Sequence, residues 1–216
     1  NSALVIDPTA PTVQSVSSST ADGTYKAGDV ITINVLFSEA VTVNTTGGTP
    51  QLTLETGSTD QTVSYSSGSG TNTLAFSYTV QNGDTSADLN YKATSSLALN
   101  GATIQDAAGN NATLTLPALA SGDSLAGNSA LVIDTTAPTI AVSSDVASLK
   151  AGETATLSFS LSEASTNFVE SDIAVSGGSL SNFSGSGTSY SATFTPTADS
   201  TTDGVISVAS SKFSDA

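Results

Sequence analysis

The 216-residue chain carries 19 Asp and Glu against four Lys and no Arg, for a formal net charge of −15, and it has neither Cys nor His. Such a charge repels nucleic acid and anionic membrane, which both demand basic patches. The missing His removes the commonest general base and transition-metal ligand, and no run approaches the ~20 apolar residues of a membrane helix. What remains favoured is contact with hard cations through oxygen ligands, or simply a solvated, halotolerant surface.

The chain opens on Asn1-Ser-Ala-Leu-Val-Ile-Asp7, which returns verbatim as Asn128-Ser-Ala-Leu-Val-Ile-Asp134. Each copy runs on into Thr-Ala-Pro-Thr, at Thr9 to Thr12 and at Thr136 to Thr139. A return at that distance marks whole tandem domains rather than solenoid units of roughly 20–50 residues, and the chain reads as cut from a longer array. Proline fixes its own φ and biases its predecessor toward extended backbone, so Thr-Ala-Pro-Thr is a stiff spacer.

Strand A is expected directly after the spacer. Ile31, Ile33, Val35 and Phe37 alternate with Thr32, Asn34 and Leu36, which places strand B at 30–37 with one buried and one wet face. Leu52/Leu54 place C at 51–55, Val63/Tyr65 place D at 62–66, and Leu74/Phe76/Tyr78/Val80 place E at 72–80. Strand F, at 89–105, and strand G, at 112–133, are both expected to be broken. Asp88-Leu-Asn-Tyr91 at the start of F has the form of a tyrosine corner. Clusters of Gly, Ser, Asn and Asp separate the runs, and no helical stripe competes with them.

The same elements recur in order. Lys150-Ala-Gly-Glu153 follows Lys26-Ala-Gly-Asp29, Ser162-Glu-Ala164 follows Ser38-Glu-Ala40, and Ser184-Gly-Ser-Gly-Thr188 follows Ser67-Gly-Ser-Gly-Thr71. Asp199 and Asp203 follow Asp84 and Asp88, and Asp215-Ala216 follows Asp106-Ala107. The spacing between copies shrinks along the chain, so the second domain has the shorter connections. Seven or so strands in roughly 90–130 residues give an all-β fold of tandem immunoglobulin-like Greek-key β-sandwiches, with domains at 1–133 and 134–216. The second lacks a counterpart of the last strand, which is expected to reflect where the chain was cut; an uncovered sheet edge tends to pair with a neighbour.

In this topology the start of A, the B–C loop and the F–G loop share a pole. That pole collects Asp7, Glu39, Asp106 and Asn110 in domain 1, and Asp134, Glu163 and Asp215 in domain 2. Three carboxylates crowded together cost stability through like-charge repulsion. Without Arg and with few Lys, a bound cation is the economical remedy, and calcium takes 6–8 oxygens with flexible geometry. The opposite pole adds Asp84 and Asp88 in domain 1 and Asp199 and Asp203 in domain 2. These four are read two ways, as further calcium ligands or as turn residues bonded to their own backbone. Calcium at the poles and at the Asp134 linker would make a flexible string into a rod.

Catalysis is not expected. Serine hydrolysis lacks its His, and 6% aromatic residues with no Trp leave few platforms for sugars. The other class of function the sequence allows is a binding module, in which one sandwich recognises a glycan or a protein.

Phe37-Ser-Glu-Ala-Val41, Ser77-Tyr-Thr-Val-Gln-Asn-Gly-Asp84, Ser86-Ala-Asp-Leu-Asn-Tyr91, Ile104-Gln-Asp-Ala-Ala-Gly-Asn110, Ala112-Thr-Leu-Thr-Leu-Pro117 and Leu131-Val-Ile-Asp-Thr-Thr-Ala-Pro138 together resemble the SWM-type, flagellar-system-associated repeat of very large bacterial surface proteins. The second domain, through Leu161-Ser-Glu163, Gly178-Ser-Leu-Ser-Asn-Phe183 and Tyr190-Ser-Ala-Thr-Phe-Thr-Pro196, resembles bacterial Ig-like domains. Pro8 stands where the second copy has Thr135. The resemblance implies a secreted, cell-surface adhesin of the repeats-in-toxin type, acting in adhesion or biofilm. In it such repeats serve as calcium-rigidified extenders, their partners are adjacent repeats, and the target is bound elsewhere in the full-length protein.

Overall fold

The computed structural model describes residues 6–215, and the chain divides into two compact units, Asn1–Thr135 and Thr136–Ala216. In the first unit β1 (Val13–Ser18), β2 (Gly23–Tyr25), β3 (Val30–Asn44), β4 (Gln51–Glu55), β5 (Gln61–Ser67) and β6 (Thr71–Thr79) are followed by the short β7 (Asn90–Tyr91), β8 (Leu97–Ala98) and β9 (Thr103–Gln105). A single helical turn, α1 (Leu125–Asn128), precedes β10 (Leu131–Ile133). The hydrogen-bonded order is β1-β3-β6-β5-β4-β7, with β8 also on β4 and β9 also on β3. β10 pairs in parallel with β2.

The period-two pattern does what it implies: Ile31, Ile33, Val35 and Phe37 of β3 are fully buried, as are Leu52, Leu54, Leu74 and Phe76. They join Tyr78, Leu89, Tyr91, Ile104, Leu131 and Ile133 in one core. The repeated Ser-Gly-Ser-Gly-Thr motif belongs to the fold rather than to a site. Gly68 (φ +107°) and Gly185 (φ +141°) sit where a Cβ would lie 2.1 Å from the Thr73 carbonyl oxygen and 2.4 Å from that of Ser189, so only glycine closes these turns.

Three expectations are corrected. Strand B does not stop at 37: β3 runs to Asn44, leaving β6 through a register break between Leu36 and Val41 and pairing with β9 over its last three residues. Strand G is reduced to β10, its earlier part holding only isolated bridges, Thr12 to Thr113 and Gln105 to Asn111, and the turn α1. The turn forms because Ser124, fully buried, caps it by accepting from the Gly127 N–H while donating to carbonyls of Leu119 and Ser121. Finally, Tyr91 does not close a corner on upstream backbone; its hydroxyl donates forward to the Pro117 carbonyl at 2.5 Å. Burial, with the Asp123 charge second, pushes that phenol up to about 12.

The second unit holds β11 (Ile140–Ser144), β12 (Ala155–Ser165), β13 (Ile173–Ser176), β14 (Gly178–Pro196) and β15 (Val205–Val208), in one sheet ordered β11-β12-β14 and a second of β13-β15. Its core centres on Phe168, whose ring meets those of Phe159, Phe183, Tyr190 and Phe213 at centroid distances of 5.9, 5.7, 5.1 and 5.2 Å. Aromatic edges and faces carry opposite partial charge, which favours these tilted contacts. Among the described residues, no strand of this unit takes the place that β10 has in the first.

Candidate functional site

The bend in β3 builds the acidic site of the first unit. Glu39 keeps the inward phase of Phe37 and Val41, but at the point where the strand leaves β6. The spacer is clipped to the same bend: the Thr12 N–H donates to the Ser38 hydroxyl at 3.0 Å, and the Ser38 N–H returns to the Thr12 carbonyl at 2.8 Å. The clip brings Asp7 back toward Glu39. Asp106, at the turn after β9, completes a set in which one carboxylate oxygen from each of Asp7, Glu39 and Asp106 lies within 4.8 Å of the others. Glu39 was expected in a loop and lies instead within a strand.

The electrostatics differ between members. Burial, then the charges of Asp7 and Asp106, raise the Glu39 carboxyl above its usual value. Asp106 is nearly buried, and that burial alone would raise it. Hydrogen bonds from the Asn110 side chain and from the backbone of Asn110, Gly109 and Ala108 outweigh burial and hold it below the ordinary carboxylate value. Asn110 is therefore turned nitrogen-first, its Nδ2 donating to Asp106 Oδ2 at 2.7 Å and to the Asp7 carbonyl at 2.9 Å. It acts as a donor that ties Asp106 to the spacer, not as the oxygen ligand expected of it, because a buried carboxylate takes the nearest N–H groups. What is left, three carboxylates with hard oxygens, fits a calcium ion in charge and ligand chemistry.

In the second unit the clip recurs residue for residue: the Thr139 N–H donates to the Ser162 hydroxyl at 2.8 Å and the Ser162 N–H to the Thr139 carbonyl at 2.9 Å. Glu163 and Asp215 carry carboxylate oxygens within 4.8 Å of one another. Asp134 belongs to the first unit, where its N–H donates to the Tyr25 carbonyl at 3.0 Å.

The other expected ligands part company. Asp84 is 2% exposed and its carboxylate is taken up by protein donors: Tyr78 Oη at 2.7 Å and the Gln81 N–H at 2.8 Å on Oδ2, and Gln61 Nε2 at 2.9 Å on Oδ1. The turn reading applies to Asp84, which pins its loop to β5 and β6. Asp88, Asp199 and Asp203 are exposed, and Asp199 occupies a left-handed turn position at φ 54°. Among the described residues none of these four joins a group of three acidic side chains. The structure also shows a charge cluster that the spacing hid: Lys92 Nζ lies 2.7 Å from Glu55 and 3.1 Å from Asp60, three residues from three separate segments.

The second unit, where two small sheets meet at the Phe168 core, lies within a stretch that matches the family model described as a bacterial Ig-like domain. Residues 134–216 match it. The matched stretch starts at Asp134, one of the acidic linker residues, and domains of that family are generally structural rather than catalytic. No curated protein matches the chain. Among the described residues no helix is long and apolar enough to cross a membrane.

Proposed function

We propose that the chain is a pair of extender repeats from a large, secreted bacterial cell-surface adhesin of the repeats-in-toxin type, the first repeat being SWM-like, and that calcium bound at the domain poles and linkers stiffens it. The observation that carries this reading is the Asp7, Glu39 and Asp106 set, three carboxylates from distant segments held within 4.8 Å by a backbone clip. The sequence repeats the same set as Asp134, Glu163 and Asp215, together with the clip that positions it. A device repeated at each Thr-Ala-Pro-Thr spacer suits a function that lies in the array. The partners are then the adjacent repeats, with the adhesin's target bound elsewhere.

Calcium when bound would neutralise the crowded carboxylates. Asp7, Glu39 and Asp106 supply the charge, the clip fixes the approach of the spacer, and Asn110 keeps Asp106 in place. Calcium sites in extracellular modules have affinities of about 10⁻⁴–10⁻³ M. Small-angle scattering and calorimetry with millimolar calcium and with chelator test the reading. A longer, narrower distribution of dimensions and a higher melting temperature are expected in calcium. Identical curves in both buffers remove the calcium from the proposal.

A further inference from the structure

Two Asn-Gly pairs occur in the chain, Asn82-Gly83 and Asn100-Gly101. In such a pair the following backbone nitrogen reaches the asparagine carboxamide most readily, because glycine has no Cβ to stand in the way. Exposure does not separate the two pairs, since all four residues are exposed. Packing does. Leu99 to Ala102 form a tight turn, the Ala102 N–H donating to the Leu99 carbonyl at 3.0 Å, with Asn100 at φ 48° and Gly101 at φ 86°. Two positive φ values at the centre make it a type I′ turn. The backbone of 47–48 lies directly over its central peptide. A Cβ on Gly48 would sit 1.8 Å from the Asn100 carbonyl oxygen, and a Cβ on Gly101 2.4 Å from that of Gly47. The Asn100-Gly101 peptide cannot rotate without pushing that backbone aside.

Asn82-Gly83 is held differently. Gln81 to Asp84 form a turn closed by the Asp84 N–H on the Gln81 carbonyl at 3.1 Å, with Gly83 at φ 91°. A left-handed residue at the third place alone marks a type II turn. A Cβ on Gly83 would meet nothing within 4 Å, so no backbone presses on this peptide. What fixes it is Thr135 of the same unit. Its Oγ1 accepts from the Gly83 N–H at 3.0 Å and donates to the Asp84 carbonyl at 2.9 Å. One hydroxyl thus ties down both the reactive nitrogen and the residue that closes the turn.

We propose that Asn82 is a self-modifying site, gated by the Thr135 hydroxyl, whose deamidation releases residue 135 from the turn. Once Thr135 lets go, the Gly83 nitrogen swings round and attacks Asn82 Cγ. That nitrogen gives up its proton, the carboxamide nitrogen leaves as ammonia, and a five-membered succinimide remains. Water, the one co-reactant, then opens the ring. Addition at Cγ gives an aspartyl residue. Addition at the main-chain carbonyl breaks its bond to the Gly83 nitrogen and gives an isoaspartyl residue, linked onward through Cγ. The isoaspartyl form adds one atom to the main chain between Gln81 and Asp84, so the turn no longer closes and the seat of Thr135 is lost. Either product also sets a new carboxylate two residues from Asp84.

The test incubates the full chain in chelator at mildly alkaline pH. Each Asn-Gly peptide is followed by mass spectrometry, with enzymatic methylation to count isoaspartate. Isoaspartate is expected at 82 and not at 100, whereas in urea the two pairs are expected to react alike. Thr135→Val takes one hydrogen bond from the reactive nitrogen and is expected to speed the reaction at 82 by about 2- to 10-fold. Thr135→Ser keeps the hydroxyl and is expected to react as the parent chain does. The isoaspartyl chain is expected to exchange its amide hydrogens at 83–84 faster than the parent. Asn100 reacting as fast as Asn82 in the folded chain overturns the proposal, as does an Asn82 that reacts only in urea. Equal rates in Thr135→Val and the parent overturn it too, because the hydroxyl is then not the gate. No step involves calcium, so this proposal and the extender reading fail separately.

Discussion

Tyr78→Phe separates a structural Asp84 from a calcium-binding one. The Tyr78 side chain is 1% exposed and its hydroxyl reaches Asp84 Oδ2 at 2.7 Å. Burial first, and the Asp84 carboxylate second, hold the phenol protonated well above its ordinary range, so it remains a donor at every practical pH. Removing the hydroxyl takes one of three donors from a buried carboxylate. A hydrogen bond to a charged group contributes about 1.5–3 kcal/mol. For a unit of this size each kcal/mol moves the melting temperature by roughly 3–5 °C, so a fall of about 5–15 °C is expected for the first unit alone. Differential scanning calorimetry in calcium and in chelator reads it, and the same fall is expected in both buffers. Asp84→Asn, which turns donors against donors, is expected to fall further. A shift below about 2 °C, smaller than any charge-assisted bond would give, refutes the reasoning. So does a shift present only in calcium, which would return Asp84 to the ligand set.

Glu39→Gln tests the crowding. In chelator it is expected to raise the melting temperature of the first unit at neutral pH and to lose most of the response to added calcium; a stabilising response equal to that of the parent chain would count against the site. The pH dependence has opposite signs within the set. The Glu39 carboxyl is raised in the folded state, so without calcium the first unit gains stability as pH falls from neutral through that raised value, and Glu39→Gln flattens the gain. Asp106 is lowered, so its contribution is present above the ordinary carboxylate value and disappears only as pH falls through the depressed one. Acid titration of the melting temperature in chelator checks both. Ser124→Ala removes the cap of α1 and is expected to cost about 1–2 kcal/mol, read by urea unfolding. Phe168→Ala removes the ring on which four others converge and is expected to cost about 3–5 kcal/mol, confined to the second unit's transition.

The sequence by itself determined the phase of the central strands and the tandem order. Those are set by local signals: alternation in 30–37, 51–55 and 72–80, and turn residues between. It also marked Asp7, Glu39 and Asp106, because those carboxylates recur at matched places in both copies. The tertiary structure decided which of the acids stand close together. Asp84 and Asp88 look alike on paper, yet one is buried against Tyr78 and the other faces water. Glu39 meets Asp7 and Asp106 only because β3 breaks register after Leu36 and the spacer is hydrogen-bonded to that bend. Asn110 reads as an oxygen ligand until burial of Asp106 turns its nitrogen inward. Periodicity reports how each strand faces its own sheet, whereas sets of side chains from separate segments depend on distances between those segments, which long-range packing fixes.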